Sequence, residues 1–273
     1  MSSFAGFDVF RRLRPGLTVA AVGVGVLAAV TGCATKGVPY QTPGSASATG
    51  AATAPTTVTS PAATTSMTPL PAASGQLTGT DLESVLLPAS AFPTGFAASS
   101  SGPVSSGGSL TSAAATYPLG TVSCSDFAQH LGSTGFGETA MAADSIVGTD
   151  QAYDQVIYQF STASAASAFV AGLEPLAARC KSFTAPADTN TVPFSLKATA
   201  GPTVAGLPSV ELVQTGTVSD SPVTLDTLFS ASGVDVFAAS GVGIGSAAPA
   251  VPDKQTIIYS LMKRQAAAAV LGG

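Results

Sequence analysis

Between Ala34 and Gln76 the chain consists mainly of Ala, Thr, Pro, Ser and Gly, with almost no large apolar side chain to bury. A stretch of this composition cannot offset the entropy lost on ordering, so it reads as a disordered tether and the core must come from Leu77 onward. As a flexible coil at roughly 5–6 Å × √n it would average on the order of 35–40 Å, with more reach where Pro extends it. Its Ser/Thr/Pro density also suits O-glycosylation, but a plain spacer that lifts a domain off the membrane is the favoured reading.

The residues before the tether read as a targeting segment. Arg11, Arg12 and Arg14 form a positive region, and the uncharged run Leu17 to Val30 follows. Its length fits the apolar core of a secretory signal, roughly 7–15 residues. It is short and glycine-interrupted for a bilayer span, which needs about 20 apolar residues. Val30-Thr31-Gly32-Cys33 resembles the lipobox of bacterial lipoproteins. A thiol can be alkylated with a diacylglyceryl group, and small residues before it let a signal peptidase close around the backbone. The expectation is that residues 1–32 are removed. Cys33 then becomes the lipidated first residue, bearing acyl chains such as palmitate and held on the extracytoplasmic face of the cell membrane. Arg11-Arg12 also raises twin-arginine export, but the flanking residues fit that motif poorly.

Removing the leader takes away Arg11, Arg12, Arg14 and Asp8, leaving seven basic and 14 acidic residues, a net charge of −7. That balance argues against nucleic acid or an anionic membrane surface as the main partner. Cys124 and Cys180 remain once Cys33 is acylated. An even pair in an oxidising compartment is expected to form a disulfide.

Residues 77–273 read as one domain of roughly 195 residues. Thr80-Asp81-Leu82-Glu83 has the pattern of a capping box, opening a short helix that Pro88 and Pro93 close. Ser99 to Ser112 reads as a Ser/Gly-rich loop, ordered only at its ends. Ser123-Cys124-Ser125-Asp126 opens a helix running to His130 or Leu131. Strands are expected at Glu138–Val147 and Tyr153–Phe160, the second with an apolar face of Val156, Tyr158 and Phe160. Ser161 or Thr162 caps the longest helix. Its apolar positions Ala165, Phe169, Leu173, Leu176 and Cys180 recur at helical spacing, and Pro175 should kink or split it. Further strands are expected at Phe194–Thr199, Val210–Val218, Val223–Ser230 and Val234–Ala239, with turns near Asp220-Ser221 and Ser232-Gly233. A final helix starts near Val251-Pro252-Asp253 with Ile257, Ile258, Leu261 and Met262 buried, and Lys263 and Arg264 toward its C-terminal end. Strands grouped together, with helices outside and no βαβ alternation, give an α+β fold around a mainly antiparallel central sheet flanked by helices.

Several features together resemble an actinobacterial family. They are the lipobox, the tether, Leu86-Leu87-Pro88, and the Phe160-Ser161-Thr162-Ala163 step leading to Arg179-Cys180. The chain from Leu77 onward is similar to the PknH-like extracellular (sensor) domain, found behind a mycobacterial serine/threonine kinase and in stand-alone lipoproteins. The resemblance implies a central antiparallel sheet, a cleft and ligand sensing without chemistry. The family's usual second disulfide has no cysteines here, and no ligand-binding residues carry over.

Signs of catalysis are sparse. His130, the only histidine, is the one possible base for a Ser/His/Asp triad, and no G-x-S-x-G elbow accompanies it. One histidine and a cysteine pair leave no N/S set for a metal. Asp144, Asp150 and Asp154 lack EF-hand spacing and read as a solvated acidic loop. Gly241-Val242-Gly243-Ile244-Gly245 lacks the G-x-G-x-x-G spacing of a phosphate loop and reads as a glycine-rich turn. No cofactor is expected. The resulting picture is a membrane-anchored, non-catalytic sensor-like domain. Its cleft, lined by the sheet and the Phe169 helix, would hold a small molecule, lipid or glycan. The alternatives are a protein-interaction accessory of an envelope kinase or secretion complex, and a hydrolase using His130.

Overall fold

A computed structural model describes residues 67–70, 76–107, 115–149, 151–187, 190–218, 221–245 and 254–271. The leader, Cys33 and most of the tether lie outside the described residues. Met67 and Leu70, inside the stretch read as tether, are partly buried against the domain.

The fold is α+β. The helices are α1 (Gly79–Val85), α2 (Cys124–His130), α3 (Ala163–Arg179) and α4 (Lys254–Leu271), with a 3₁₀ turn at Ala89–Ala91. The strands are β1 (Ala97–Ala98), β2 (Val104–Gly107), β3 (Ala140–Val147), β4 (Gln151–Gln159), β5 (Phe183–Ala187), β6 (Asn190–Ala200), β7 (Ser209–Val218), β8 (Ser221–Ser232) and β9 (Asp235–Ile244). They form one antiparallel sheet in the order β1-β3-β4-β9-β8-β7-β6-β5, and β2 joins β1 along the outer side of β3.

Both faces of the sheet are covered. α3 lies across β6 to β9, and α2 packs near β5 on the same side. α1 and α4 cover the opposite face over β2, β3, β8 and β9. A strand buried on both faces needs apolar or small residues at every position and loses its alternation. This is why β9, Asp235–Ile244, is buried at nine successive positions. It also corrects the reading of Gly241 to Gly245 as a turn. Gly241 and Gly243 are strand residues, paired with Tyr153 and Gln151 of β4.

Other boundaries shift for local reasons. The cap of α1 is Thr78, not Thr80: Thr78 Oγ1 accepts from the Asp81 amide at 3.2 Å, and the Thr78 amide donates to Asp81 Oδ2 at 3.2 Å. The Thr78 hydroxyl, which donates to Asp81 Oδ2 at 2.6 Å, and the Thr78 amide together hold the Asp81 carboxyl below its ordinary range. Part of the expected loop 99–112 is strand β2, and α1 packs so closely on it that a Cβ at Gly79 would meet the Ser106 carbonyl oxygen at 2.5 Å. Strand β5, which the sequence reading lacks, pairs with β6.

α3 continues through Pro175 as one helix. The lost hydrogen bond and ring clash cost about 3 kcal/mol. Leu173 and Leu176, fully buried on either side of it, each contribute roughly 1.5–3 kcal/mol and outweigh that cost. α4 runs on to Leu271, so Lys263 and Arg264 fall mid-helix. Arg264 instead serves a different terminus. Its Nε donates to the Val85 carbonyl and its guanidinium to the Ser84 carbonyl, each at 2.7 Å, where α1 ends with unpaired acceptors. At the other end of α4, Lys254 Nζ bridges Glu211 at 2.6 Å and Asp226 at 2.5 Å, pinning the helix start to β7 and β8. Burial raises the Asp226 carboxyl.

The expected disulfide is present. Cys124 opens α2 and Cys180 caps α3, with their Cα atoms 5.5 Å apart.

Candidate functional site

Strand register decides which side chains meet on the α3 face. Met141, Ala143, Ser145 and Val147 of β3 share that face with Ala152, Asp154, Val156 and Tyr158 of β4, since Ala143 is opposite Val156 and Ser145 is opposite Asp154. β9 places Ser240 beside Asp154 and Ala238 beside Val156, and β8 continues both rows with Thr227 and Phe229. One cross-strand row is therefore polar, Ser145–Asp154–Ser240–Thr227, between apolar rows on both sides.

This row lines a solvent-open pocket bordered by Leu131 and Gly132 after α2, and by Val156, Tyr158, Leu225 and Phe229. Its cavity volume is about 30 Å³. Small-molecule sites that enclose a whole ligand run to roughly 300–1,000 Å³. Since one water needs about 10–15 Å³ on this measure, the pocket takes one small group.

Its polar atoms are organised in pairs. Ser145 Oγ donates to Asp154 Oδ1 at 2.6 Å, and the hydroxyls of Thr227 and Ser240 lie 2.8 Å apart. Thr227 and Ser240 are buried, whereas Ser145 and Asp154 are half-buried. Tyr158 forms part of the wall, and its hydroxyl accepts from the Gly132 amide at 2.7 Å. Burial pushes the phenol far up, so it stays neutral. Gly132 has φ +85°, a conformation that glycine adopts without strain. Behind the pocket an aromatic cluster stiffens the wall. Phe169 lies 5.6 Å from Tyr158 and 6.2 Å from Phe229 between ring centroids.

A small pocket forms on the sheet in place of the expected cleft, and its helical border is the end of α2. Phe169 backs the wall without lining it. Asp144 and Asp154 lie in β3 and β4, as the expected strands there had them and not in an acidic loop, and both residues border the pocket. Asp150 lies outside the described residues. Among the described residues no three His, Cys, Asp or Glu side chains form a metal-binding group.

His130 ends α2 with its ring stacked on Tyr117 at 3.9 Å between centroids. Burial lowers its basicity, partly opposed by the Asp126 charge. Ser133 is the nearby hydroxyl, but it donates to the His130 carbonyl at 2.7 Å and lies 3.4 Å from the ring Nδ1. Asp126 is engaged with the helix cap, accepting from Ser123 Oγ at 2.7 Å. The three are not arranged as nucleophile, base and orienting acid.

The polar row left a faint signal in the sequence. Ser240 interrupts Val236, Ala238 and Val242, and Thr227 sits between Leu225 and Phe229 at the same parity. Only the strand register shows that these interruptions coincide.

No helix among the described residues is long and apolar enough to cross a membrane. No protein-family model matches the chain, and no curated protein matches it. Among solved structures it is distantly similar in fold to the crystal structure of the extracellular domain of PknH from Mycobacterium tuberculosis. The identity is 14%, the TM-score is 0.47, and the match covers 72% of this chain and 98% of that chain.

Proposed function

We propose that this chain is a membrane-anchored extracytoplasmic lipoprotein whose folded part is a non-catalytic, sensor-like ligand-binding domain. The lipobox-like Val30-Thr31-Gly32-Cys33 supports the anchor, with the Ala34–Gln76 stretch as spacer. The Cys124–Cys180 disulfide supports an oxidising compartment.

The observation that carries the binding reading is the pocket itself. A carboxylate and three hydroxyls are gathered between apolar rows of the sheet, with Ser145 and Asp154 half-buried at the pocket and Thr227 and Ser240 buried behind them. Polar groups on a core face cost stability unless paired, and an apolar pocket with a few convergent polar groups is the usual form of a binding site. The separation of His130, Ser133 and Asp126 into structural hydrogen bonds favours binding over hydrolysis. A protein-docking face would call for a broad apolar patch. Among the described residues Val104 is the one large hydrophobic side chain that is exposed.

Two measurements test this. Growth with a labelled fatty acid should mark the wild-type chain and leave Cys33→Ser unmarked; equal labelling would remove the anchor. Thermal melts of the full chain against envelope lipids and glycans should show a raised midpoint with a pocket ligand. No shift across the panel would count against binding.

A further inference from the structure

Lys254 is the first residue of α4 and stands between two carboxylates of the sheet. Its Nζ lies 2.6 Å from Glu211 Oε1 on β7 and 2.5 Å from Asp226 Oδ1 on β8. The two contacts differ in kind. Nζ donates a hydrogen bond to Glu211, but it approaches Asp226 Oδ1 outside the directions that a hydrogen bond takes. That oxygen is buried and has no hydrogen-bond partner. The carboxyl carbon is bonded about 1.2 Å from it, so the amine stands close to the roughly 3–3.5 Å separation of a near-attack arrangement.

Strand register prepares this approach. Val213 is opposite Asp226 and Leu228 is opposite Glu211, so both carboxylates lie on the face that α4 covers. On its other side Asp226 is opposite Gly241, which has no side chain to stand between the carboxyl and the lysine. The lysine side chain is 9% exposed. Leu228, Ile257 and Ile258 belong to the buried apolar core of the same face. A buried ion pair loses hydration that its own attraction offsets only in good geometry. Joining the two groups removes both charges at once. Burial also raises the Asp226 carboxyl, with the Lys254 charge opposing, and so favours its protonated, more electrophilic form.

We propose that Lys254 Nζ and Asp226 Cγ join in an intramolecular amide bond, with Glu211 as the proton carrier. Glu211 takes a proton from the ammonium, and the freed lone pair attacks Cγ to form the C–N bond. One C–O bond of Asp226 breaks. Two of the three ammonium protons, carried one at a time by Glu211, end on the departing oxygen and leave with it as water. Glu211 finishes as it began, nothing is oxidised or reduced, and the ammonium and carboxylate charges cancel. The ion-paired cluster is the state before closure, and the salt-sensitive contribution of Lys254 belongs to that state. Once closed, the amide fastens α4 to β8 as the disulfide fastens α2 to α3.

The test is mass spectrometry of the full chain under reducing conditions, intact and after digestion. Against Lys254→Arg processed in the same way, the wild type should lack the mass of one water beyond the substitution itself. Digestion of the wild type should yield one branched peptide containing both Asp226 and Lys254. In Glu211→Gln, the joined fraction followed from synthesis onward should rise about a hundredfold more slowly, within the range that general acid–base help supplies. Recovery of Lys254 from the wild type as a free amine would overturn the bond, and so would a branch joining Lys254 to another carboxyl. Closure of Glu211→Gln at the wild-type rate would overturn the role of Glu211. The wild-type digest decides the bond even if a variant does not fold.

Discussion

Gln155 and Leu87 pair as if both were backbone. The side-chain amide of Gln155 donates to the Leu87 carbonyl at 2.8 Å and accepts from the Leu87 amide at 2.8 Å. Leu87 follows α1 and lies outside any strand, so this one buried side chain of β4 supplies the ladder that the segment lacks. Gln159, four residues further along the same face, makes half of this pattern: its Oε1 accepts from the Leu77 amide at 3.0 Å, while its Nε2 donates to Asp235.

Replacing Gln155 by Ala would leave a buried N–H and a buried C=O without partners. At about 1–3 kcal/mol for each orphaned group, a loss of roughly 2–4 kcal/mol in urea unfolding is expected. Gln155→Glu should also destabilise, since an ionised carboxylate cannot donate to the Leu87 carbonyl. A change within experimental error in both variants would contradict the pairing.

Asp235 is fully buried and accepts from Gln159 Nε2 at 3.1 Å and Gln265 Nε2 at 2.5 Å. Burial pushes its carboxyl up from 3.8 to about 7, while the two amides partly oppose the shift. The folded state therefore binds the proton more tightly than the unfolded state. The associated stability is fully present below the unfolded value and declines as pH rises from about 4 to about 7. At about 1.4 kcal/mol per unit the upper bound is on the order of 4 kcal/mol. Denaturation midpoints measured across this range should fall with pH in the wild type and flatten in Asp235→Asn, where the Gln265 amide can turn over to accept. A wild-type profile that rises over the same window would be incompatible with a buried, raised Asp235.

The Cys124–Cys180 bridge closes a loop with a sequence separation of 56. Chain-entropy arguments assign about 4 kcal/mol to a loop of this size. The Cys124→Ala/Cys180→Ala double variant should unfold at correspondingly lower urea. Peptide mapping without reductant should recover the two cysteines joined. Finding both alkylatable in the untreated protein would rule the bridge out.

Lys254 is 8% exposed and holds Glu211 and Asp226 together. Lys254→Met should leave two half-screened carboxylates repelling each other at the start of α4, at a cost of about 2 kcal/mol, below the 3–5 kcal/mol typical of fully buried pairs. Because the lost interaction is ionic, the gap between wild type and variant should narrow at high salt. An equal gap at low and high salt would assign the loss to packing instead.

Much of the secondary structure was readable because local periodicity is a property of the chain alone. The apolar Val156/Tyr158 face of β4, the stripe of α3, the Ile257/Ile258/Leu261/Met262 face of α4 and the β8–β9 turn all follow from residue type and spacing. Readings failed where a distant contact overrode the local signal. Gly241 and Gly243 look like a turn until β4 and β8 pair on either side of them. Pro175 looks like a break until Leu173 and Leu176 are buried beside it. Strand β2 is Ser/Gly-rich and exists only because β3 offers it an edge.

The cysteine count and the strand and helix pattern by themselves determined the α+β class and the Cys124–Cys180 pairing. These rest on compartment chemistry and on periods of two and 3.6 residues along one chain. Tertiary structure alone decided the pocket. Ser145, Asp154, Thr227 and Ser240 lie on four strands, and nothing in their spacing brings them together. They become neighbours through antiparallel register, where a slip of one residue would send each side chain to the other face. For the same reason Gln155 finds Leu87, and Arg264 finds the end of α1, only once the sheet and its two helical layers are assembled.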